Sequence, residues 1–534
     1  MFLAKRFSKV PWLYYLLILA INVGVVLLVL QMPRYFSEKH YEPVYALSAG
    51  VGALFLILGL ALADMKGSKL LGWILAPLLC GAISALATYF FFYRIAHLSL
   101  GLDRTVALTM SALFLFLFLG VVDALIVIFS FDRFAAGKGL RVVLALSLVV
   151  VTAGLTMTPL VRSFARRYLR AYDFLTTPAV FVNGEDGYSV LFATTGPGTG
   201  SVTVRKEDTE TVYYEEKQGV ILYDRQIHRV DLPRTALEGA TYFVSSRQTQ
   251  DGSDKAWRMG KEIRSATYIF RAYQGSGDLS FLCVSDNQGA MKATQDAVKA
   301  AYKANDYDFV MMLGDHAEGY NDIETDIVEP LLKVAALASG SVLPVYYTLG
   351  NHEYRGMLAP YLWDLIPTAS ATGEAYYTFT MGDAFFSVIN FANDHADDFD
   401  RYAGLARFNE YKDKEYEWYE NKMATKPYEG YRYHLVISHI PMICENNLPA
   451  YEYVCEDCNE VHDYKYKEFG DKFAECGVQY IVSGHSHVPP AEFKSDKYDY
   501  PNLHAGSNYA KKEGFRNSIV TLSDGKITYK VYGA

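Results

Sequence analysis

Cysteine is scarce in this chain, with six among 534 residues, so no disulfide scaffold holds it together and its stability has to come from apolar cores. Basic charge is also scarce where nucleic acid would need it. Beyond residue 170 there are 34 Lys or Arg against 53 Asp or Glu, and no basic stripe. Phosphate backbones are bound by clustered cations that release counterions, so nucleic acid is not expected as a structural partner. The Gly-rich cluster TTGPGTGS (Thr194 to Ser201) lacks the context of a phosphate loop, because it runs into another strand, SVTV, instead of opening a helix. The first apolar run does not read as a cleaved signal peptide either, since four more long runs follow it at once.

What the chain does have is segregation. Residues 1 to 170 carry 16 Lys or Arg against 6 Asp or Glu, a net +10, and the rest carries a net −19. Apolar stretches near residues 11–31, 44–63, 70–92, 105–130 and 142–161 each reach the roughly 20 residues that cross a hydrocarbon layer as a helix. Five spans put the two ends of this region on opposite faces of the lipid bilayer. The Lys and Arg count on the two sides is tied at eight each, so the positive-inside rule does not choose the orientation. Asp123 falls within the fourth run, where a charge is costly; it is either a functional intramembrane group or a protonated or partnered carboxyl facing the helix bundle, and no second intramembrane charge accompanies it. The segment Arg162 to Phe174 brings four arginines beside the last run, as an interfacial collar does.

From Pro178 the texture changes to short alternating stretches such as YSVLFAT and GVILYD, the pattern of an antiparallel β-sandwich. Beyond Gly275, strand-like and helix-like segments alternate, and polar residues collect where strands stop. FLCVS ends at Asp286, DFVMMLG at Asp315, LPVYYTLG at Asn351 and His352, YHLVIS at His439, and VQYIVSG at His485 and His487. In an open α/β sheet the carboxyl ends of the strands share one edge, so these residues converge. Two carboxylates, an amide and imidazoles form a mixed oxygen and nitrogen set suited to a pair of borderline metal ions, which clamp a phosphate and acidify a water.

The blocks SDNQG (Ser285 to Gly289), GDHAEGY (Gly314 to Tyr320), GNHE (Gly350 to Glu353), SHIP (Ser438 to Pro441) and GHSH (Gly484 to His487) occur in the order found in calcineurin-like metallophosphoesterases, and the chain resembles that superfamily. Residues 178 to 534 resemble purple acid phosphatases and their bacterial relatives, in which a fibronectin type III-like sandwich precedes the catalytic domain. The resemblance implies that metal 1 takes Asp286, Asp315 and His487. Metal 2 would take Asp315, Asn351, His439 and His485, with Asp315 bridging the two ions and His352 near the leaving group as acid or phosphate contact. Mn, Fe and Zn all suit such a set. Gln288 stands where most of the superfamily has a ligand histidine; it either gives a carbonyl oxygen to metal 1 or hydrogen-bonds a bound water. Glu318 stands where purple enzymes carry an iron-binding tyrosine, so no tyrosinate colour is expected. His316 and Glu318 are outside choices as extra ligands. Arg355 is a candidate phosphate contact, since a guanidinium matches two phosphate oxygens. Cys455 and Cys458, with Cys444 and His462 near, read as either a disulfide pair or a structural zinc site.

The expected architecture is multi-domain. Residues 1–165 form a five-helix membrane bundle, 166–177 a basic linker, 178–274 the fibronectin type III-like sandwich and 275–534 an α/β metallophosphoesterase sandwich. The expected activity is hydrolysis of phosphate esters, with monoesters favoured by the resemblance to purple acid phosphatases. Two other readings stand beside it: a phosphodiesterase acting on nucleotide, lipid or cell-wall phosphates, and a phospho-ligand sensor signalling through the membrane bundle. Resemblance to secreted enzymes places the catalytic part outside the cytoplasm.

Overall fold

The computed structural model describes residues 171–533 apart from 254–255, 276, 289–290, 305, 400–401, 453–463 and 508–514. The five expected spans, Asp123, the arginines of the collar, Cys455, Cys458 and His462 lie outside the described residues. Among the described residues no helix is long and apolar enough to cross a membrane. Cys283, Cys444 and Cys476 are buried free thiols.

The first part of the described chain is antiparallel. Strands β1 (Ala179–Asn183), β2 (Gly187–Gly198) and β5 (Arg225–Pro233) form one ladder. A second ladder holds β3 (Ser201–Lys206), β4 (Thr209–Tyr214), β6 (Thr241–Ser253) and β7 (Ala256–Arg264). Val190, Val202, Val230, Tyr242 and Val244 from both ladders share one apolar cluster. Alternation of inward apolar and outward polar residues along β3 and β5 produces this face, as the sequence pattern predicts.

The chain then builds two further layers of strands. Strands β8 (Leu279–Val284), β9 (Phe309–Met312) and β10 (Pro344–Tyr347) pair in parallel, and β16 (Arg516–Ser523) closes antiparallel on β8. Opposite them, β11 (Tyr377–Met381) pairs antiparallel with β12 (Ala384–Ile389), and β12, β13 (Tyr433–Ser438), β14 (Tyr480–Ser483) and β15 (Asn502–His504) run parallel. Near-continuous apolar runs give strands buried on both faces, and the side-chain period of two sorts them. Phe281, Cys283, Phe309, Met311, Phe386, Val388, Leu435, Ile437 and Val482 meet in the layer between the sheets. Leu282, Val284, Val310 and Met312 instead face helices α1 (Met291–Ala304) and α2 (Lys333–Ser339). Phe385, Ile389, Val436 and Ile481 face α3 (Phe408–Ala424) and α4 (Tyr466–Glu475). The order of layers is helix, sheet, sheet, helix. At its centre Phe281 stacks on Phe309 at 4.8 Å, and the Phe386 ring stands edge-on to both.

The parts expected as separate modules at 178–274 and 275–534 fold within one compact unit, Ala171–Ala534. The cause is β1, whose Val180 and Phe181 pair in parallel with Pro344 and Val345 of β10, so the first sandwich strand extends the catalytic sheet. Nothing local in AVFVN announces this, because the partner lies more than 160 residues away.

Candidate metal centre

Every sequence-selected ligand leaves the carboxyl end of a parallel strand. Asp286 follows β8, Asp315 follows β9 and Asn351 follows β10 in one sheet; His439 follows β13, and His485 and His487 follow β14 in the other. The chain turns sharply there, and Asp286, Asp315, His485 and His487 all have φ between 50 and 73°, a left-handed conformation that costs energy in non-glycine residues. The motif glycines make room for the turns. A Cβ on Gly314, at φ +88°, would lie 2.2 Å from the Gly350 nitrogen, and one on Gly350 would lie 2.2 Å from Asp315 Oδ1. The Gly-Asp and Gly-Asn-His blocks therefore interlock, and neither tolerates a side chain at its glycine.

Asp315 is the hub. Its Oδ2 lies 3.2 Å from His439 Nε2 and 3.6 Å from His352 Nε2, and it accepts from Gln288 Nε2 at 3.0 Å. Its Oδ1 accepts from the His352 backbone N–H at 2.8 Å. Asp286 Oδ1 lies 3.3 Å from His487 Nε2, and its Oδ2 accepts from the His485 backbone N–H at 2.9 Å. His439 Nδ1–H donates to the Leu313 carbonyl at 2.6 Å, which leaves Nε2 as the free ring nitrogen facing Asp315. His487 stands at the mouth, with 48% of its side chain exposed.

Three buried atoms test whether this cluster suits cations. Among the described residues Asn351 Oδ1 has no hydrogen-bond partner, while Asp286 Oδ1 and His439 Nε2 face only His487 Nε2 and Asp315 Oδ2, at 3.3 and 3.2 Å. Two buried carboxylates beside an unpaired amide oxygen are costly unless positive charge meets them. The ligand atoms of Asp315, His439 and His485 also lie within 4.8 Å of one another. The residues fit a metal site. Electrostatics agree in sign: burial disfavours a charged His439, yet Asp315 and Asp286 outweigh it and lift its pKa to about 10. Burial would raise the Asp315 carboxyl, but His352 and His439 hold it well below the ordinary range.

Outer groups fix the ligands. Glu353 accepts from the backbone N–H groups of Asp315 (2.8 Å), Gly350 (2.9 Å) and His316 (3.3 Å) and from the Tyr320 hydroxyl (2.6 Å), tying two motif loops together. His316 is not in the cluster. Its Nδ1 accepts from Asn287 Nδ2 at 2.9 Å, its ring stacks on Tyr347, and burial drops its pKa to about 3. Glu318 carries its carboxylate largely in solvent, 3.9 Å from His352 Nδ1, while its carbonyl accepts from that Nδ1–H at 3.0 Å. Arg355 Nη1 donates to His352 Nε2 at 2.7 Å. Gln288 meets the cluster through its amide nitrogen, bonded to Asp315, rather than by a contact of its carbonyl oxygen with that carboxylate. Among the described residues the nearby Tyr320 hydroxyl is committed to Glu353 and does not take the place of the missing tyrosine. An iron-loaded sample is expected to be colourless in the visible, and a strong charge-transfer band in its absorption spectrum would contradict that assignment.

Sequence reasoning missed Asp394. It lies beyond β12, a parallel strand of the same edge, in the run FAND that matches none of the blocks. Its Oδ1 accepts from Asn351 Nδ2 at 3.0 Å, which orients the amide so that Asn351 Oδ1 stays free, and its Oδ2 lies 3.6 Å from His485 Nε2. Burial opposes its ionisation, but His485, His395 and Arg355 bring its pKa to about 2. A check of every strand end on that edge, rather than of known motifs alone, would have found it. Asp394→Asn is expected to weaken metal binding about 10- to 100-fold, the usual cost of losing an outer partner of a ligand. Competition with a metal-binding dye measures this, and unchanged affinity would remove Asp394 from the site.

Fold and cluster together define a metal-dependent phosphoric ester hydrolase. Residues 279–489 match the family described as calcineurin-like phosphoesterase, so the chain carries a domain of that kind. Folds of this kind use a dinuclear metal centre. Among curated proteins, human serine/threonine-protein phosphatase CPPED1 is 24% identical over 260 residues, covering 47% of this chain and 70% of its own. The bovine protein of the same name is 25% identical over 256 residues with the same coverage. Among solved structures, a purple acid phosphatase from yellow lupin (Lupinus luteus) seeds aligns over 66% of this chain and 71% of its own, at TM-score 0.43 and 12% identity. A dimetal phosphatase from Danio rerio aligns over 48% of this chain and 96% of its own, at TM-score 0.35 and 14% identity.

Proposed function

We propose that this protein is a membrane-anchored phosphomonoesterase with two metal ions. The observation that carries the reading is the convergence of Asp286, Asp315, Asn351, His439, His485 and His487 at the strand ends, with the ligand atoms of Asp315, His439 and His485 within 4.8 Å of one another and Asn351 Oδ1 buried without a hydrogen bond. Asp286, Asp315 and His487 are assigned to one ion and Asp315, Asn351, His439 and His485 to the other, with Asp315 shared; Mn, Fe or Zn all suit these donors. When bound, the ions neutralise phosphate charge and acidify a water. The protein's own groups do the rest. Glu353 holds the Asp315 and Gly350 backbones, Asp394 aims Asn351, and Arg355 and His352 meet the phosphate and the departing oxygen. The name of the curated relatives favours monoesters, since phosphoserine and phosphothreonine are monoesters.

Turnover of p-nitrophenyl phosphate and bis(p-nitrophenyl) phosphate with added Mn(II), Zn(II) or Fe(II) tests the proposal. Faster monoester turnover is the expected result. A faster diester rate would make the protein a phosphodiesterase, and binding without turnover of either would make it a sensor.

The long apolar runs within residues 1–165 are assigned to a five-span anchor, 166–177 to the basic linker and 178–274 to a fibronectin type III-like module. The catalytic part is assigned to the outer face. Protease added to intact cells is expected to release a fragment that retains hydrolase activity. Full protection of a chain that is cleavable after lysis would place the domain inside.

A further inference from the structure

The segment that follows Asn351 and His352 is held firmly and yet shows large apolar groups to solvent. Met357 is 73% exposed, Tyr361 60% and Trp363 39%. The backbone beneath them is pinned. Tyr320 N–H donates to the Arg355 carbonyl at 2.8 Å, Leu358 N–H donates to the Tyr320 carbonyl at 2.8 Å, and Met357 N–H donates to Asn321 Oδ1 at 3.1 Å. Gly356 has φ +100°, and a Cβ there would lie 2.4 Å from the Tyr320 carbonyl oxygen. The turn therefore sets Met357 outward, where burying it against the body would require breaking these bonds. The partly buried Tyr354 ring links the two parts, 5.5 Å from Trp363 and 5.2 Å from Phe408. Phe408 in turn lies 5.3 Å from Tyr402, in a turn whose Leu405 is 89% exposed while its N–H donates to the Tyr402 carbonyl at 2.8 Å. Single exposed apolar residues mean little, but a fixed group of them beside a reacting centre does.

The inner edge of this surface is polar. Arg355 bonds His352, which lies 3.6 Å from Asp315 Oδ2, so the ligand Asn351, His352, the guanidinium and the apolar groups Met357, Tyr361 and Trp363 follow one another within residues 351–363. A substrate with a phosphate at one end and an apolar chain at the other matches that order. We infer that the rim of Met357, Tyr361, Trp363 and Leu405 receives the apolar chain of an amphiphilic phosphate ester, as in a phosphorylated lipid. The inference rests on the phosphomonoesterase reading above. The same chain's long apolar runs, assigned above to a bilayer anchor, would hold the site where such esters collect. A wholly polar ester would leave the rim in water.

The test compares kcat/KM for octyl phosphate and ethyl phosphate, which share a leaving-group type, on the purified full-length protein in a nonionic detergent. A buried methylene contributes about 0.8 kcal/mol, so even partial cover of six of them predicts a ratio of about 10 or more. In the Met357→Ser, Tyr361→Ser, Leu405→Ser variant, with metal content measured as the check on folding, the ratio is expected to fall towards one. A wild-type ratio near one overturns the inference while leaving hydrolysis intact. A high ratio that persists in the variant overturns it as well, since partitioning into detergent would then explain the preference. No hydrolysis of either ester, with every metal tried, overturns the phosphatase reading itself.

Discussion

Asp315→Ala is expected to abolish hydrolysis and to release metal from both positions. One carboxylate faces His439, His352 and Gln288 through Oδ2 and is fixed by the His352 backbone through Oδ1, so its removal opens the whole cluster. Loss of an outer partner costs about 10- to 100-fold in metal affinity, and loss of a shared ligand should exceed that. Asp286→Ala, by contrast, should spare the ion assigned to His439 and His485. Metal analysis of both purified variants distinguishes them. Two tightly held ions in the Asp315 variant would refute the shared-ligand assignment.

His352→Asn is expected to slow an alkyl phosphate far more than p-nitrophenyl phosphate. A departing alkoxide needs a proton, whereas p-nitrophenolate hardly does, and a positioned acid contributes about 100- to 10,000-fold. The ring is well held for the task, with Nδ1–H donated to the Glu318 carbonyl and Nε2 facing Arg355 and Asp315. In this arrangement Nε2 accepts from Arg355, so the donor role requires the guanidinium to turn to the phosphate and Nε2 to take up a proton. Equal losses on the two esters would make His352 a phosphate contact, working with Arg355. Metal content near wild type is the control that separates either outcome from damage to the ligand set.

Much of the site was legible because its chemistry sits at strand ends. An apolar run that stops at Asp or His marks both the strand and the edge, and parallel pairing brings those edges together without further information. What escaped was set by partners distant in sequence. Asp394 lies beyond the end of β12, after Phe391 and Ala392, both of which have positive φ, so the carboxylate reaches the cluster through an irregular turn that strand periodicity does not describe. Glu353 could be seen within GNHE, but its work of binding the Asp315 and Gly350 N–H groups depends on the approach of two loops. The ten-residue π-helix Ile323–Leu332 was equally hidden. It carries Pro330 inside it, and the Pro330 carbonyl accepts from Asn287 Nδ2 at 2.8 Å beside the first motif. Proline within an apolar stretch reads as a break in sequence, whereas here packing retains the helix around it.

The central claim is that two ions share Asp315 in a working hydrolase. Metal-free protein titrated with Mn(II) or Zn(II), with p-nitrophenyl phosphate turnover and bound metal followed together, tests it most directly. The account predicts that activity reaches its plateau only as the second equivalent binds. A plateau at one equivalent, or two bound equivalents without turnover, would contradict it.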